Sequence, residues 1–110
     1  MTTNASTIRA EAQIFTLINV FSVAPDQQQQ IADLLIEATA RTMRHLPGFI
    51  SANIHTSLDG RRVVNYAQWR SRDDFEAMLR NPDARPHMTR IAAIASFDPI
   101  LCEVAHVDHA

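Results

Sequence analysis

The order in which two hydrophobic patterns follow each other restricts the fold of this chain more than any other feature of its sequence. Short segments rich in β-branched and aromatic residues alternate with longer segments in which apolar residues recur at every third or fourth position. The first pattern predicts β-strands, and the second predicts helices that bury one face. Read from the N-terminus, the patterns predict the order β-α-β-β-α-β.

Turn and break signals predict where these elements begin and end. The first helix is predicted to begin at Pro25 and to run to about Leu46. The second helical stretch begins after Ser71, a good N-cap residue, and is interrupted at 81–83. A further break is predicted at 97–99. The four predicted strands cover residues 15–23, 49–56, 62–70 and 100–107.

This order matches the ferredoxin-like split β-α-β plan, an α+β fold in which helices cover one face of a four-stranded antiparallel sheet. No predicted helix is left for the other face of the sheet. The apolar residues predicted on that open face are Ile18, Val20, Ile50, Ile54, Val64 and Tyr66. Such a set is too large to be exposed comfortably. A second copy packed sheet to sheet would cover it, so we expect a homodimer, a dimeric α+β barrel.

The length of 110 residues predicts a single domain. We expect a flexible N-terminal segment over 1–12, one folded domain over 13–107 and a short tail over 108–110. The tail and the residues before it carry His106, Asp108 and His109, but three such groups on a frayed end do not predict a specific metal site.

Composition excludes several classes of function. The single cysteine, Cys102, excludes an internal disulfide and thiolate metal clusters, and two glycines cannot form a glycine-rich phosphate loop. All ten basic residues are arginine, against twelve acidic residues, so neither Schiff-base chemistry nor a nucleic-acid partner is expected. The sequence shows neither a secretory signal nor an apolar run of the ~18 residues that a membrane span needs, so we expect a cytoplasmic protein with no membrane partner.

Three motifs in the middle of the chain stand out together. They are Pro47-Gly48-Phe49-Ile50-Ser51-Ala52, Asp59-Gly60 and Val63-Val64-Asn65-Tyr66-Ala67-Gln68-Trp69, and Ser71 and Phe75 follow them. With these motifs the chain resembles the antibiotic biosynthesis monooxygenase family over residues 13–107. The third motif is similar to that of a subgroup that oxidises aromatic polyketide phenols and anthrones to quinones. Its members use O2 without metal, flavin or haem, so the resemblance implies a small aromatic substrate and no cofactor.

The resemblance implies that Asn65 and Trp69 carry the reaction. The two residues lie four positions apart on one predicted strand, so their side chains share a face. An amide and an indole N–H are suitable donors for negative charge that develops on a substrate oxygen. Since O2 reacts slowly with closed-shell compounds, an electron-rich phenolate or enolate would itself supply the electrons.

Further residues are predicted to complete the site. Phe75 stands where the resemblance leads us to expect a tyrosine, and a phenylalanine can stack on a ring but cannot exchange a proton. We expect Phe75 and Met78 to contact the substrate. His87 is the predicted proton acceptor because the unperturbed pKa of a histidine lies near neutrality. Arg90 is the nearest match to an arginine that assists catalysis in the resembled enzymes.

Each of these residues also has a purely structural interpretation. Trp69 could be core, Asn65 could bond to a helix end, and His87 and Arg90 could be surface groups of a helix. Met78 could simply fill the core.

Two other functions are compatible with the sequence. Haem-degrading monooxygenases of the same superfamily have an asparagine on the first strand, a strand-end tryptophan and a histidine after the second helix. Asn19, Trp69 and His87 match those positions, and His87 would then be an axial iron ligand. If the substrate is an aromatic compound other than haem, Asn19 is also predicted to contact it. The second alternative is a dimer that binds a small molecule without catalysis, because fold does not fix function.

Overall fold

The computed structural model describes residues 4–10 and 13–110. The four strands and three α-helices are, in chain order, β1 (Phe15–Ser22), α1 (Gln28–Arg41), β2 (Phe49–Thr56), β3 (Arg62–Trp69), α2 (Arg72–Arg80), α3 (Arg85–Ala92) and β4 (Ser96–Glu103). Short 3-10 turns, Pro25–Gln27 and Met43–His45, flank α1. The predicted α+β class, the element order and the split second helical stretch are confirmed. Within the described residues, no helix is long and apolar enough to cross a bilayer.

The sheet is antiparallel with the strand order β2-β3-β1-β4. Its inner face, which is the face that packs against the helices, carries two clusters of buried side chains. One cluster joins Leu17, Ala67 and Trp69 of the strands to Phe75 and Met78 of α2. The other joins Phe21 and Val63 of the strands to Ile31, Leu35 and Ile91 of α1 and α3. The core is therefore built on β1 and β3, the two central strands.

Several predicted boundaries are wrong. The helix α1 ends at Arg41 rather than near Leu46, because the backbone leaves the α conformation at Thr42 and continues as a 3-10 turn. Strand β4 begins at Ser96 and ends at Glu103, so it starts earlier and stops earlier than predicted. The predicted break at 97–99 lies inside this strand. A proline is tolerated there because β4 is an edge strand, and an edge strand leaves one row of backbone groups unpaired.

The faces of β2 also differ from the prediction. Ile54 was expected on the open face, but it lies opposite Asn65 in the β2–β3 register and packs into the inner core. A register shift between Phe49 and Ser51 then brings Phe49 opposite Trp69 on the same inner face. One extra residue in a strand reverses the alternation of faces, and sequence alternation alone does not reveal where that residue lies.

Part of the open face is covered by the chain's own N-terminal segment. The hydroxyl of Ser6 donates to Asn53 Oδ1 at 2.5 Å, and Gln68 Nε2 donates to the carbonyl oxygen of Thr7 at 2.8 Å. Gln68 is only 1% exposed as a result. Of the predicted flexible segment over 1–12, residues 1–3 and 11–12 lie outside the described part of the chain, and Ser6 and Thr7 bond to side chains of β2 and β3.

Gly48 joins the end of the first helical region to β2. Its φ is +84°, in the left-handed region that glycine adopts at little cost. A Cβ built on Gly48 would overlap the side chain of Asp74 at the start of α2. The carbonyl oxygen of Gly48 accepts a bond of 2.7 Å from the backbone N–H of Arg70. The Pro-Gly-Phe motif therefore allows α2 to approach β2 closely.

We expect Gly48→Ala to destabilise the fold by more than the ~1–2 kcal/mol that a left-handed backbone costs a non-glycine residue, because the new methyl group also collides with Asp74. Gly60→Ala is the matched control. Gly60 has a φ of +79°, but a Cβ there would meet only Pro25 at 3.9 Å. Urea denaturation of both variants measures the difference. Equal losses of unfolding free energy in the two variants would show that the proximity of Asp74 adds nothing to the cost of a side chain at position 48.

Candidate active site

A cavity of about 410 Å³ lies between the inner face of the sheet and the helices. Side chains from β1, β2, β3 and β4 form its floor, and side chains from α1, α2 and α3 form its roof. Most of these side chains are apolar, as is usual for a small-molecule site. The polar side chains in the lining are Asn19, Asn65, Trp69, Thr39 and His87.

Asn19 and Asn65 face each other across β1 and β3. They are directly paired in the strand register, which places their Cβ atoms about 4.5–5.5 Å apart on the floor of the cavity. The Oδ1 atoms of both side chains are buried, and neither has a hydrogen-bond partner within the described residues. Since nearly all buried polar groups in proteins are bonded, two opposed amides without partners indicate a ligand site.

The position of this amide pair follows from the strand alternation. On β1, Asn19 lies between Leu17 and Phe21 on the inner face, and these two residues belong to different core clusters. On β3, Asn65 lies in the same way between Val63 and Ala67. The amide pair therefore lies between the two clusters, on the floor of the cavity.

Aromatic side chains form the inner end of the cavity. Trp69 is 2% exposed and meets the ring of Phe49 edge-on, with 5.5 Å between centroids. The ring centroid of Phe75 lies 6.4 Å from that of Trp69 and 5.1 Å from that of Phe15. Phe75 is thus part of an aromatic cluster, and a planar ring in the cavity would meet other rings there.

The structure brings six of the seven predicted site residues to this cavity: Asn19, Asn65, Trp69, Phe75, Met78 and His87. Arg90 does not line it. Arg90 borders a second, more polar cavity between the end of α1 and the connection from α2 to α3, together with Thr42 and His87.

His87 lies in the wall between the two cavities and is 9% exposed. Its Nε2 lies 3.0 Å from the hydroxyl of Thr42, and its Nδ1 accepts a bond of 2.8 Å from the guanidinium of Arg90. Thr42 and Arg90 line the second cavity and not the first. Both ring nitrogens are therefore bonded to residues of the second cavity, which disfavours His87 as a ligand of a haem iron in the central cavity.

Sequence reasoning missed the wall that β4 contributes. Phe97, Pro99 and Leu101 alternate along β4 and line the cavity beside Leu79 of α2. Phe97, Leu101 and Leu79 are 52%, 44% and 42% exposed, so they form an apolar mouth. The alternation of these three residues is typical of a strand with one apolar face. It was not recognised because residues 97–99 were predicted to be a break.

Within the described part of the chain, no group of three or more histidine, cysteine, aspartate or glutamate side chains is arranged to hold a metal ion. The tail brings His106 and Asp108 together at 3.1 Å, and both side chains are largely exposed.

Comparisons with known proteins identify relatives of this chain. The family model for antibiotic biosynthesis monooxygenase matches residues 14–90. Tetracenomycin-F1 monooxygenase of Streptomyces glaucescens is 48% identical over 101 residues, which are 92% of this chain and 90% of that protein. Both the length of the match and its identity show a common family.

Two solved structures share the fold. SnoaB, a cofactor-independent oxygenase from Streptomyces nogalater, superimposes with a TM-score of 0.72 at 26% identity, covering 87% of this chain and 97% of the other. The monooxygenase ActVA-Orf6 of Streptomyces coelicolor, solved with nanaomycin D, superimposes with a TM-score of 0.73 at 24% identity over 89% of this chain and 95% of the other. The protein is a monooxygenase, and the chain belongs to the antibiotic biosynthesis monooxygenase family.

Proposed function

We propose that this protein is a cofactor-independent monooxygenase that oxidises an electron-rich phenol- or anthrone-type aromatic to a quinone with O2. The observation that carries the proposal is the buried amide pair Asn19 and Asn65 in an apolar cavity with an aromatic end. The names of two relatives support it: one is a tetracenomycin-F1 monooxygenase, and SnoaB is described as a cofactor-independent oxygenase.

The chemistry of the cavity selects a planar ring that carries hydroxyl groups. The two unpartnered Oδ1 atoms are acceptors, so they suit phenolic O–H donors of a bound substrate. The amide N–H groups and the indole N–H of Trp69 are donors for the oxygen on which negative charge develops. In a cavity with few polar side chains these donors act with little competition from water, which strengthens each interaction.

In the proposed reaction the substrate is its own reductant. The phenolate or enolate passes one electron to O2, and the resulting superoxide and substrate radical combine to form a C–O bond. The peroxide takes up the proton that the substrate had released. The carbon that carries the hydroperoxide then loses its hydrogen as a proton, and the O–O bond breaks to release hydroxide. The carbon becomes a ring carbonyl, and the proton and the hydroxide form water. One oxygen atom enters the quinone and the other enters water, so no further reductant is needed.

The first proton has to leave the substrate before the electron does. His87 is the acceptor predicted from the sequence, but its nitrogens are bonded to Thr42 and Arg90 on the far side of the wall. We therefore propose that the substrate reacts as the phenolate or enolate that it forms by its own ionisation. The rate is then expected to rise with pH around the pKa of the substrate, both in the wild type and in His87→Gln.

We expect the purified protein to be colourless and to oxidise an anthrone after treatment with a metal chelator and exhaustive dialysis. The physical reason is that the deprotonated anthrone supplies every electron that the reaction needs. Oxygen uptake and quinone absorbance, measured together, test the proposal. A flavin or haem spectrum that scales with activity, or activity that returns only with one added metal, contradicts it.

We also propose that two copies pack through the open face of the sheet. Ile18, Val20, Val64 and Tyr66 lie on this face and are only partly buried in the single chain. Among the described residues of the N-terminal segment, Ser6 and Thr7 bond to Asn53 and Gln68, at the polar end of this face. A symmetric pair of such patches is self-complementary, as a homodimer requires.

Val64→Asp is expected to weaken this dimer at least about tenfold, because a carboxylate would be buried without a partner in the centre of the interface. Leu58→Asp is the matched control, since Leu58 is fully exposed on the turn between β2 and β3. Sedimentation equilibrium of the wild type and both variants measures the effect. A monomeric wild type at micromolar concentration, or two variants that dimerise equally well, contradicts the proposal.

The cytoplasm is the compartment that we propose for this enzyme. The single cysteine, Cys102, is a free thiol, and free thiols persist in a reducing compartment. The proposed partners are a second copy of the chain, the aromatic substrate and O2, with neither a nucleic acid nor a membrane.

A further inference from the structure

His87 is held from both sides by residues that take no part in the central cavity. The residue is 9% exposed and forms part of the wall between the two cavities. Nε2 lies 3.0 Å from Thr42 Oγ1, and Nδ1 lies 2.8 Å from Arg90 Nη2. Thr42 directly follows α1, whereas His87 and Arg90 belong to α3, so the contact between Thr42 and His87 joins the two helical segments.

The chemistry of these contacts fixes the protonation of the ring. A guanidinium has donors and no acceptor, so Arg90 can only donate to Nδ1. Nδ1 must then carry a lone pair, and the ring hydrogen lies on Nε2, which donates to the hydroxyl oxygen of Thr42. Only the neutral Nε2–H tautomer makes both hydrogen bonds, because a doubly protonated ring would set an N–H against an N–H of Arg90.

The joined segments both shape the central cavity. Thr42 directly precedes Met43, and His87 directly precedes Met88, and both methionines line the cavity. A methionine adapts its shape easily, so its position depends on the backbone that carries it. The contact between Thr42 and His87 therefore holds two flexible wall residues at a fixed separation.

We propose that Thr42, His87 and Arg90 form a latch that fixes this wall, with His87 as a neutral Nε2–H imidazole rather than the proton acceptor. Thr42 and Arg90 are positioning residues in this assignment. The role in turnover rests on the proposed function, whereas the protonation of His87 does not. The other titratable groups that border the second cavity are Arg41 and His45 on the α1 side and Asp83 on the connection between α2 and α3. None of them is bonded to the ring of His87 within the described residues.

Long-range 1H–15N NMR of 15N-histidine-labelled protein tests the protonation without any substrate. The His87 signals are identified by their loss in His87→Gln. At slightly alkaline pH we expect the wild-type ring to show the Nε2–H pattern alone, and Arg90→Met to show a mixture of both tautomers. Arg85→Met is the matched control on the same helix and is expected to keep the wild-type pattern. An Nδ1–H or doubly protonated ring in the wild type overturns the proposal.

Kinetics with an anthrone test the effect on the cavity wall. Loss of one wall contact should raise KM about threefold to tenfold in Arg90→Met and Thr42→Val, with kcat within about twofold of the wild type. A large loss of kcat at unchanged KM in Arg90→Met would place Arg90 in the chemical step and overturn its positioning role. If no anthrone is oxidised by the wild type, the proposed function fails, but the NMR result still decides the latch.

Discussion

Asn65→Ala is expected to lower turnover about 10²–10³-fold and to leave the melting temperature almost unchanged. The amide faces Asn19 on the cavity floor, and its Oδ1 has no hydrogen-bond partner among the described residues. Removing it therefore breaks no hydrogen bond of Oδ1 with the protein but removes a donor and an acceptor from the place where substrate charge develops. Single-turnover quinone formation and thermal denaturation measure the two effects separately.

Asn53→Ala is the matched control for this prediction. Asn53 lies one strand away on the open face, where its Nδ2 donates to the carbonyl oxygen of Tyr66 at 2.9 Å and to the hydroxyl of Ser51 at 3.2 Å. Its loss should lower stability, by about 1 kcal/mol per lost bond, and leave the activity per folded molecule unchanged. If Asn65→Ala behaves like Asn53→Ala, the amide on the cavity floor is structural and the proposed site is wrong.

Trp69→Phe is expected to lower turnover about tenfold to a hundredfold, less than the loss from Asn65→Ala, because the indole N–H is one of several donors. The replacement keeps an aromatic ring against Phe49 and Phe75, so the packing of the inner end is largely retained. The change thus separates the hydrogen bond from the packing. Steady-state kinetics should show the loss mainly in kcat, since the interaction strengthens as charge develops.

Phe15→Leu provides the packing control. Phe15 contacts Phe75 in the same aromatic cluster, but it does not line the cavity. The variant should lose stability through imperfect packing and keep its kcat. Loss of activity in Phe15→Leu that matches the loss in Trp69→Phe would show that packing, rather than the indole N–H, limits turnover.

Most of the candidate site could be predicted because it depends on local alternation. The spacing of Asn65 and Trp69 on one strand placed both side chains on one face, and the same rule placed Asn19 on the inner face of β1. The sequence could not show that Asn19 and Asn65 face each other. Register is set by which strands pair and where their turns fall, and both are long-range properties.

The rest of the site depends on contacts between distant segments. The spacing of His87 and Arg90 on a helix allows them to meet, but the third member of the group, Thr42, comes from the end of a helix 45 residues away. The contact between Thr42 and His87 depends on where α1 ends, which is at Arg41 and not near Leu46 as predicted. The predicted proton acceptor was inferred from its residue type and its place in the sequence, whereas the partners of its ring nitrogens are a tertiary property.

The most direct test of the account is a turnover experiment in labelled oxygen. Chelated and dialysed protein is mixed with an anthrone under 18O2, and the quinone is analysed by mass spectrometry before its carbonyl oxygens exchange with water. We expect one 18O atom in each quinone formed and one O2 consumed for each quinone, with both processes about 10²–10³-fold slower in Asn65→Ala. Unlabelled quinone, or labelled quinone that forms equally fast with Asn65→Ala, would contradict cofactor-free oxygen transfer at this amide pair.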